Sequence, residues 1–206
     1  MQSTTAFRSL LLTLAALSFA ACGSDSTDPA GGGGGGGGGE VPEFPEIPPA
    51  AQIFTDDIDS ENGGIGEANY EGWANWTVTE GCVDLHGPQS TDPLAALGIG
   101  VYMDLDGSCL EAGTMETKTT FDFEVGDYTL EFLIAGNSQL GPQLDTLDVA
   151  VGGALSERIV LDWQDPLALM SFDFTVGAAT SGKIRLEHHG GDEQGILIDA
   201  IRLRRN

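Results

Sequence analysis

The densest group of side chains that could do chemistry is a run of four acids, Asp56, Asp57, Asp59 and Glu61. Calcium binds six to eight hard oxygens, which carboxylates, backbone carbonyls and water supply in a flexible geometry. So many carboxylates so close together favour a calcium site. The spacing is not that of an EF-hand loop, and a solvated turn rich in acids is the alternative interpretation.

A single acid, Asp199, lies inside an otherwise apolar stretch near the end of the chain. A carboxylate flanked by Ile198 and Ala200 is costly unless it is paired or solvated. A shared cation would satisfy Asp199 and the acidic run together, and it would relieve their mutual repulsion. We therefore predict one structural calcium ion that ties the two ends of the folded domain together.

Large aromatic side chains are the second candidate for chemistry, because sugar-binding proteins stack the apolar face of a pyranose ring on Trp or Tyr. Tyr70 and Trp73 follow the acidic run in a Gly-rich region, and Trp163 lies in a predicted loop. These three are the candidate ligand-binding residues, although packing in the core is the favoured interpretation for each. Trp76 lies in a strand-like run and is assigned to the core.

Signatures of catalysis are scarce. The adjacent His188 and His189 would point to opposite faces of a strand, which argues against a shared zinc ion. The chain has no H-E-x-x-H, P-loop or G-x-S-x-G motif and no convincing Ser-His-Asp order. Two carboxylates suited to glycoside hydrolysis are compatible with so acidic a chain. A small hydrolase is therefore the least favoured function.

Acidic residues dominate the charge, with 32 acids against 8 basic residues and a net charge of −24. Such a charge argues against nucleic acid and anionic lipid surfaces as partners. It permits bound cations or a saline habitat. The favoured interpretation is a solvated acidic surface that keeps a secreted protein soluble.

The first residues have the order of a secretion signal: Arg8, then an apolar run over 10–21 that is too short to span a bilayer. Small residues then precede Cys22, as in the lipobox of a bacterial lipoprotein. We predict a signal peptide over 1–21 and lipidation of Cys22. The protein would then be anchored in a bacterial membrane, with the outer membrane or cell surface favoured. Ordinary cleavage before Cys22, without lipidation, is the alternative.

Residues 22–50 contain an unbroken glycine run over 31–39 and then a proline-rich stretch, with almost nothing to bury. This composition predicts a disordered tether. The remaining 51–206 have the length of one ordinary domain.

Two cysteines, Cys82 and Cys109, remain if Cys22 is lipidated. In an oxidising compartment such a pair usually forms a disulfide. Two buried free thiols are the alternative.

The folded part reads as strands throughout. Apolar and polar residues alternate in seven stretches, separated by Gly-rich turns, which is typical of half-buried strands. The stretches are 101–106, 119–123, 128–133, 147–151, 171–176, 183–187 and 196–201. This pattern predicts an all-β fold, an antiparallel β-sandwich of the jelly-roll type.

Several segments resemble a family: the opening Phe54–Gly64, the segment Asn75–Leu85, and the ending Gly190–Leu203. They look like the galactose-binding-like jelly rolls of bacterial surface proteins, which are related to carbohydrate-binding modules. The resemblance covers nearly all of 51–206. It implies a structural calcium held by an acid of the last strand and acids of the domain's opening. The matching residues here are Asp199 together with Asp57 or Asp59.

Three functions follow from these observations. The first is a membrane-anchored extracytoplasmic binding module for carbohydrate or another cell-surface ligand. The second is a structural or adhesive surface protein without a small ligand. The third is a small hydrolase. The missing catalytic motifs favour a protein that is not an enzyme.

Overall fold

Strands dominate the computed structural model, which describes residues 41–92, 94–139 and 141–206. The strands are β1 Gln52–Asp56, β2 Trp76–Glu80, β3 Asp84–His86, β4 Tyr102–Asp104, β5 Thr114–Thr117, β6 Phe121–Phe123, β7 Gly126–Ala135, β8 Leu144–Val151, β9 Leu155–Asp162, β10 Ala168–Val176, β11 Thr180–Gly182, β12 Ile184–His189 and β13 Leu197–Arg205. Short 3-10 helices span Pro49–Ala51, Glu61–Gly64 and Ala95–Leu97. Within the described ranges, no helix is long and apolar enough to cross a membrane.

Two antiparallel sheets hold most of the strands. The first sheet has the order β10-β7-β13-β4-β3, with β1 paired to the second half of β13. The second sheet has the order β2-β5-β12-β8-β9, and β6 and β11 form a small two-stranded sheet. Apolar side chains from both main sheets form one continuous core. The predicted antiparallel β-sandwich is confirmed.

Alternation along the strands places the core. On β8, Leu147, Val149 and Val151 are buried while the residues between them are more exposed, as expected for a sheet with one face on the core. The same rule separates the adjacent histidines of β12, because His188 is buried and His189 is exposed. Each of the seven predicted strands coincides with a strand of the structure. Strand β9, with its irregular burial pattern, is among those that alternation did not reveal.

The predicted disulfide joins Cys82 and Cys109, whose Cα atoms are 6.2 Å apart. It joins the β2–β3 loop to the β4–β5 loop across a sequence separation of 27 residues. In the chain-entropy model, such a closure stabilises the fold by about 3–4 kcal/mol.

The end of the predicted tether contacts the first sheet. The Arg202 guanidinium lies 4.6 Å from the centre of the Phe44 ring and donates to the Pro45 carbonyl at 2.9 Å. The same guanidinium donates to Glu131 on β7 at 2.8 and 2.5 Å. These contacts attach Phe44 and Pro45, which belong to the predicted tether, to β13 of the first sheet. Cys22 and the rest of the predicted tether lie outside the described residues.

A second apolar cluster covers the outer face of the first sheet at one end. Leu94, from the segment before β4, packs there with Tyr102, Ala135 and Leu197. The outer face of this sheet is thus partly closed to water. Polar residues beneath this cluster are therefore buried although they lie on the outer face of the sheet.

Candidate functional site

A pocket of about 300 Å³ lies where the β7–β8 loop, the β9–β10 loop and the segment before β4 meet. Trp163 lines this pocket and is partly exposed. The apolar part of the lining is Leu94, Leu97, Ala135, Pro166 and Leu167, and the polar side chains are Ser138, Gln164 and Asp165. An apolar floor with a few polar groups is the usual composition of a small-molecule site.

Two aspartates fix the loop that presents Trp163. Asp162 Oδ1 accepts the Gln164 N–H at 3.0 Å, and Asp165 Oδ2 accepts the Asp162 N–H at 2.8 Å. Such bonds between an aspartate and nearby backbone order a turn locally. The Trp163 N–H also donates to the carbonyl of Gln143 at 3.1 Å. The backbone that carries the indole is therefore held in place from both sides.

Gly136 allows the β7–β8 loop to approach this turn closely. Its N–H donates to the Asp165 carbonyl at 3.0 Å, and a Cβ at this position would lie 2.1 Å from the Asp162 carbonyl oxygen. A side chain here would push the two loops apart. The glycine therefore helps to shape the pocket.

A buried carboxylate, Asp92, fastens the segment before β4. Its Oδ1 accepts the N–H of Leu94 at 2.8 Å and of Ala95 at 3.3 Å. Its Oδ2 accepts the Tyr102 hydroxyl at 2.5 Å and lies 2.9 Å from His86 Nδ1. Burial raises the pKa of Asp92, but the hydrogen bonds from surrounding side chains outweigh burial and hold that pKa well below its usual range.

His86 lies between two carboxylates, because its Nε2 is also 3.6 Å from Asp104 Oδ2. Burial lowers the pKa of His86, but Asp92 and Asp104 outweigh burial and raise it above its ordinary value. Ser90 Oγ is 3.4 Å from His86 Nδ1, yet its hydroxyl donates to Asp92. Ser90, His86 and Asp104 thus lie next to one another in space in the order of a hydrolase triad. Because both ring nitrogens face carboxylates, this histidine is poorly suited to act as a base.

Asp104 joins three loops at the same end of the sandwich. Its Oδ1 accepts the N–H of Asp106 at 3.0 Å and of Gly195 at 2.9 Å. Its Oδ2 accepts the side-chain amide of Asn137 at 2.8 Å. Burial raises the pKa of Asp104 to about 7, although His86 and the two backbone donors act in the opposite direction. The β4–β5, β7–β8 and β12–β13 loops therefore depend on one side chain.

Sequence reasoning missed this network because alternation places Asp104 on the outward face of its strand. The structure does place it there, but the segment before β4 covers that face. Tyr102, two residues earlier on the same face, is the signal that could have revealed the cover. A large aromatic side chain on an outward face needs an apolar partner, and here the partner is Leu94.

Two of the three predicted ligand-binding aromatics lie together and away from the Trp163 pocket. Trp73 is 1% exposed, and its indole donates to the Tyr70 carbonyl at 2.6 Å. Its side chain packs in the main core. Tyr70 is also buried, and its hydroxyl donates to Glu61 at 3.3 Å, but it lines a second pocket of about 350 Å³ beside Lys118.

The pairing of β1 with β13 brings the predicted calcium ligands near one another. Asp199 is buried, and its carboxylate accepts the N–H of Ala200 at 2.8 Å. Burial raises the pKa of Asp199 to about 7, and the negative charges of Asp59, Asp57 and Asp56 raise it as well. In the described part of the chain, none of these four carboxylates has an ion pair with a basic side chain.

Asp57 and Asp59 are exposed, whereas Asp56 is bound within the fold. Asp56 Oδ2 accepts the Trp76 indole N–H at 2.8 Å, and Asp59 Oδ1 accepts the Val101 N–H at 3.3 Å. The three predicted ligands do not form a group whose oxygens all lie within 4.8 Å of one another. Backbone or water oxygens would have to complete a calcium shell.

Comparisons with known proteins give no sequence relative: no family model matches the chain, and no curated protein matches it. Among solved structures, the chain is similar to the CBM22-1 and GH10 modules of xylanase 10B from Clostridium thermocellum, at 12% identity and a TM-score of 0.45. That match covers 76% of this chain and 28% of the xylanase chain. Another similar structure, the arabinose-bound α-L-arabinofuranosidase MgGH51, is also covered only in part, at 24% of its length.

Two matches extend over nearly the whole of smaller proteins. TmCBM61, solved with β-1,4-galactotriose, is 16% identical, with a TM-score of 0.40, over 65% of this chain and 90% of its own. The module CBM6cm-2 of lichenase 5A from Cellvibrio mixtus, solved with cellotriose, is 15% identical, with a TM-score of 0.38, over 75% of this chain and 98% of its own. Carbohydrate-binding modules, the class that the sequence resembles, are thus among the similar structures. The fold class itself rests on the strand pairing described above.

Proposed function

We propose that this protein is an extracytoplasmic carbohydrate-binding module and that the Trp163 pocket holds the sugar. The observation that supports the proposal is a partly exposed tryptophan, Trp163, that lines a pocket together with polar residues. A pyranose ring presents an apolar face and a rim of hydroxyls, so it needs both kinds of surface at once. Ser138, Gln164 and Asp165 supply donors and acceptors for the hydroxyls.

The size and charge of the site narrow the ligand class. A pocket of about 300 Å³ lies at the lower end of the range for small-molecule sites, which begins at roughly that volume. One or two sugar units at a time would fill it. Because the chain carries a net charge of −24, anionic sugars would be repelled, and a neutral glycan is the expected ligand.

A glycan array tests this function with the purified protein. We expect binding to a set of neutral glycans, loss of at least tenfold in affinity for Trp163→Ala, and wild-type binding for Val160→Ala. Val160 is a matched control because it is an exposed apolar residue, 55% accessible, outside the pocket lining. If no glycan binds, the alternative of a structural or adhesive surface protein replaces the proposal.

We also propose that calcium binds where the first and last strands meet, with Asp57, Asp59 and Asp199 as the protein carboxylates. The support is chemical: a buried carboxylate stands near other carboxylates and has no cationic partner among the described residues. A bound calcium would offset that repulsion. Its role would be structural, because none of the three residues lines the Trp163 pocket.

Thermal unfolding in calcium and in chelator tests this site. A ligand that binds only the folded state stabilises it by about 2.7 kcal/mol at a hundredfold excess over its Kd. We expect a higher midpoint in calcium for the wild type and for Asp122→Ala, an exposed acid elsewhere. The gain should disappear in Asp199→Ala. An equal midpoint in calcium and chelator for the wild type would refute the site.

Membrane anchoring through a lipid on Cys22 completes the proposal and would hold the module at the cell surface. Labelling cells with a fatty-acid probe tests it. Label in the wild type and none in Cys22→Ala is the expected result, while an unlabelled wild-type protein would contradict the anchor.

A further inference from the structure

We propose that Asp148, Glu187 and His189 form a surface site for a divalent transition-metal ion such as zinc, on the outer face of the second sheet. One ligand atom from each of these residues lies within 4.8 Å of the other two. His189 Nε2 and Asp148 Oδ2 are only 2.9 Å apart. Ligand atoms of a tetrahedral ion with bonds of about 2.0–2.1 Å lie about 3.4 Å apart, so small rotations suffice.

The strand ladder explains why the three side chains converge. Glu187 and His189 are two residues apart on β12 and therefore share one face of the sheet. Asp148 is the direct partner of Glu187 on the neighbouring strand β8. Directly opposed residues have Cβ atoms about 4.5–5.5 Å apart, which is close enough to share an ion. Two hydrogen-bonded strands thus present three ligands from a rigid base.

Arginine side chains form ion pairs with two of these carboxylates. Arg158 donates to both oxygens of Asp148 at 2.6 Å, and Arg185 contacts Glu187. The Arg158 side chain is 62% exposed, so it can move into solvent when a cation replaces it. Exposed ion pairs of this kind are weak, because water and salt compete with them. The pairing is therefore a small barrier to a divalent ion.

The donor set points to a transition metal rather than calcium. Calcium prefers an all-oxygen shell of six or more ligands, whereas zinc accepts imidazole and carboxylate in a four-coordinate site. The imidazole is accessible, because the His189 side chain is 42% exposed. Three protein ligands leave one position for water or for a group from another molecule. This site lies on the second sheet and does not depend on the Trp163 pocket.

Zinc titration of the full-length protein, with calcium at saturation, tests the site by calorimetry and by NMR of the histidine rings. We expect one zinc ion at micromolar affinity and a shift of the His189 signals, with those of His86 and His188 unmoved. His189→Ala and Asp148→Asn should each lose at least tenfold in affinity. Asp122→Asn, an exposed acid on β6, should bind like the wild type.

Removal of the competing arginine sharpens the test. Arg158→Ala should bind zinc a few-fold more tightly, because nothing then has to leave Asp148. An unchanged or weaker affinity in Arg158→Ala would contradict the displacement. Absence of saturable binding below 1 mM zinc, or binding that survives His189→Ala, would overturn the site.

Discussion

A histidine faces an aspartate at 2.9 Å in two regions of this molecule, His86 with Asp92 and His189 with Asp148. Both pairs lie on outer faces of their sheets. The Asp92 side chain is fully buried because the segment before β4, which carries it, folds over the outer face of the first sheet, whereas Asp148 and His189 remain open to water. The same pair of side chains thus has two different roles. Where a segment covers the strand, the pair is structural, and where the strand is open to water, the pair is available to a ligand.

The pKa directions agree in the two regions, but their consequences differ. The pKa of both aspartates lies below its usual range, for Asp92 despite burial and for Asp148 chiefly because of Arg158. A buried carboxylate that loses its partners leaves unpaired groups in the interior, which costs several kcal/mol. An exposed one is solvated again by water. Stability should therefore depend on the buried pair alone.

The largest expected effect comes from Asp92→Ala. It removes the acceptor for Leu94, Ala95, Tyr102 and His86, so we expect a loss of about 3–5 kcal/mol in the free energy of unfolding. Urea denaturation measures this loss. The exposed control Asp122→Ala should change little, and a loss below about 1 kcal/mol in Asp92→Ala would refute the structural role of the network.

An intermediate effect on the free energy of unfolding is expected from the ionisation of Asp104 as pH rises. Burial raises the pKa of Asp104 in the folded protein from its ordinary value of 3.8 to about 7. Its contribution to stability is therefore present below pH 4 and is lost as pH rises to about 7. Asp104→Asn cannot ionise, so it avoids this loss. The wild type should lose roughly 1–3 kcal/mol relative to Asp104→Asn between pH 4.5 and 8.

Urea denaturation of both proteins across this pH range provides the measurement. His86 changes the curve in the same direction, because its raised pKa also gives stability that is lost as pH rises. A difference between the two proteins that stays constant with pH would show that Asp104 is ionised throughout.

The smallest effect on stability is expected from a change beside the exposed pair, Asp148 and His189. Arg158→Ala removes both hydrogen bonds to Asp148, yet its midpoint of urea unfolding should equal that of the wild type within error. Added salt should not change that result. A loss comparable to that of Asp92→Ala would show that solvent exposure does not separate the two regions.

The sequence predicted the strands well because alternation reports directly on a face packed against a core. Leu147, Val149 and Val151 on β8 are an example. The disulfide is equally predictable from the sequence, because Cys82 and Cys109 are the two cysteines that remain if Cys22 is lipidated. The strands can be predicted from the alternation of apolar and polar residues, and the disulfide from the number of cysteines.

The site was less predictable because its residues come together through loops. Trp73 and Trp163 both lie in segments that the sequence predicts to be loops, yet Trp73 is buried by its neighbours and Trp163 lines a pocket. Asp104 has the position of a solvent-facing residue in the alternating pattern of its strand, but the segment before β4 covers that face. Such contacts depend on loop paths, and a single sequence does not encode those paths in any local pattern.

NMR of the indole N–H groups during titration with a neutral oligosaccharide shows whether the sugar binds in the Trp163 pocket. The chain has three tryptophans, and Trp73 and Trp76 are each 1% exposed. We expect the Trp163 signal to move in a saturable way while the signals of Trp73 and Trp76 stay in place. A glycan that binds without moving the Trp163 signal would contradict the assigned site.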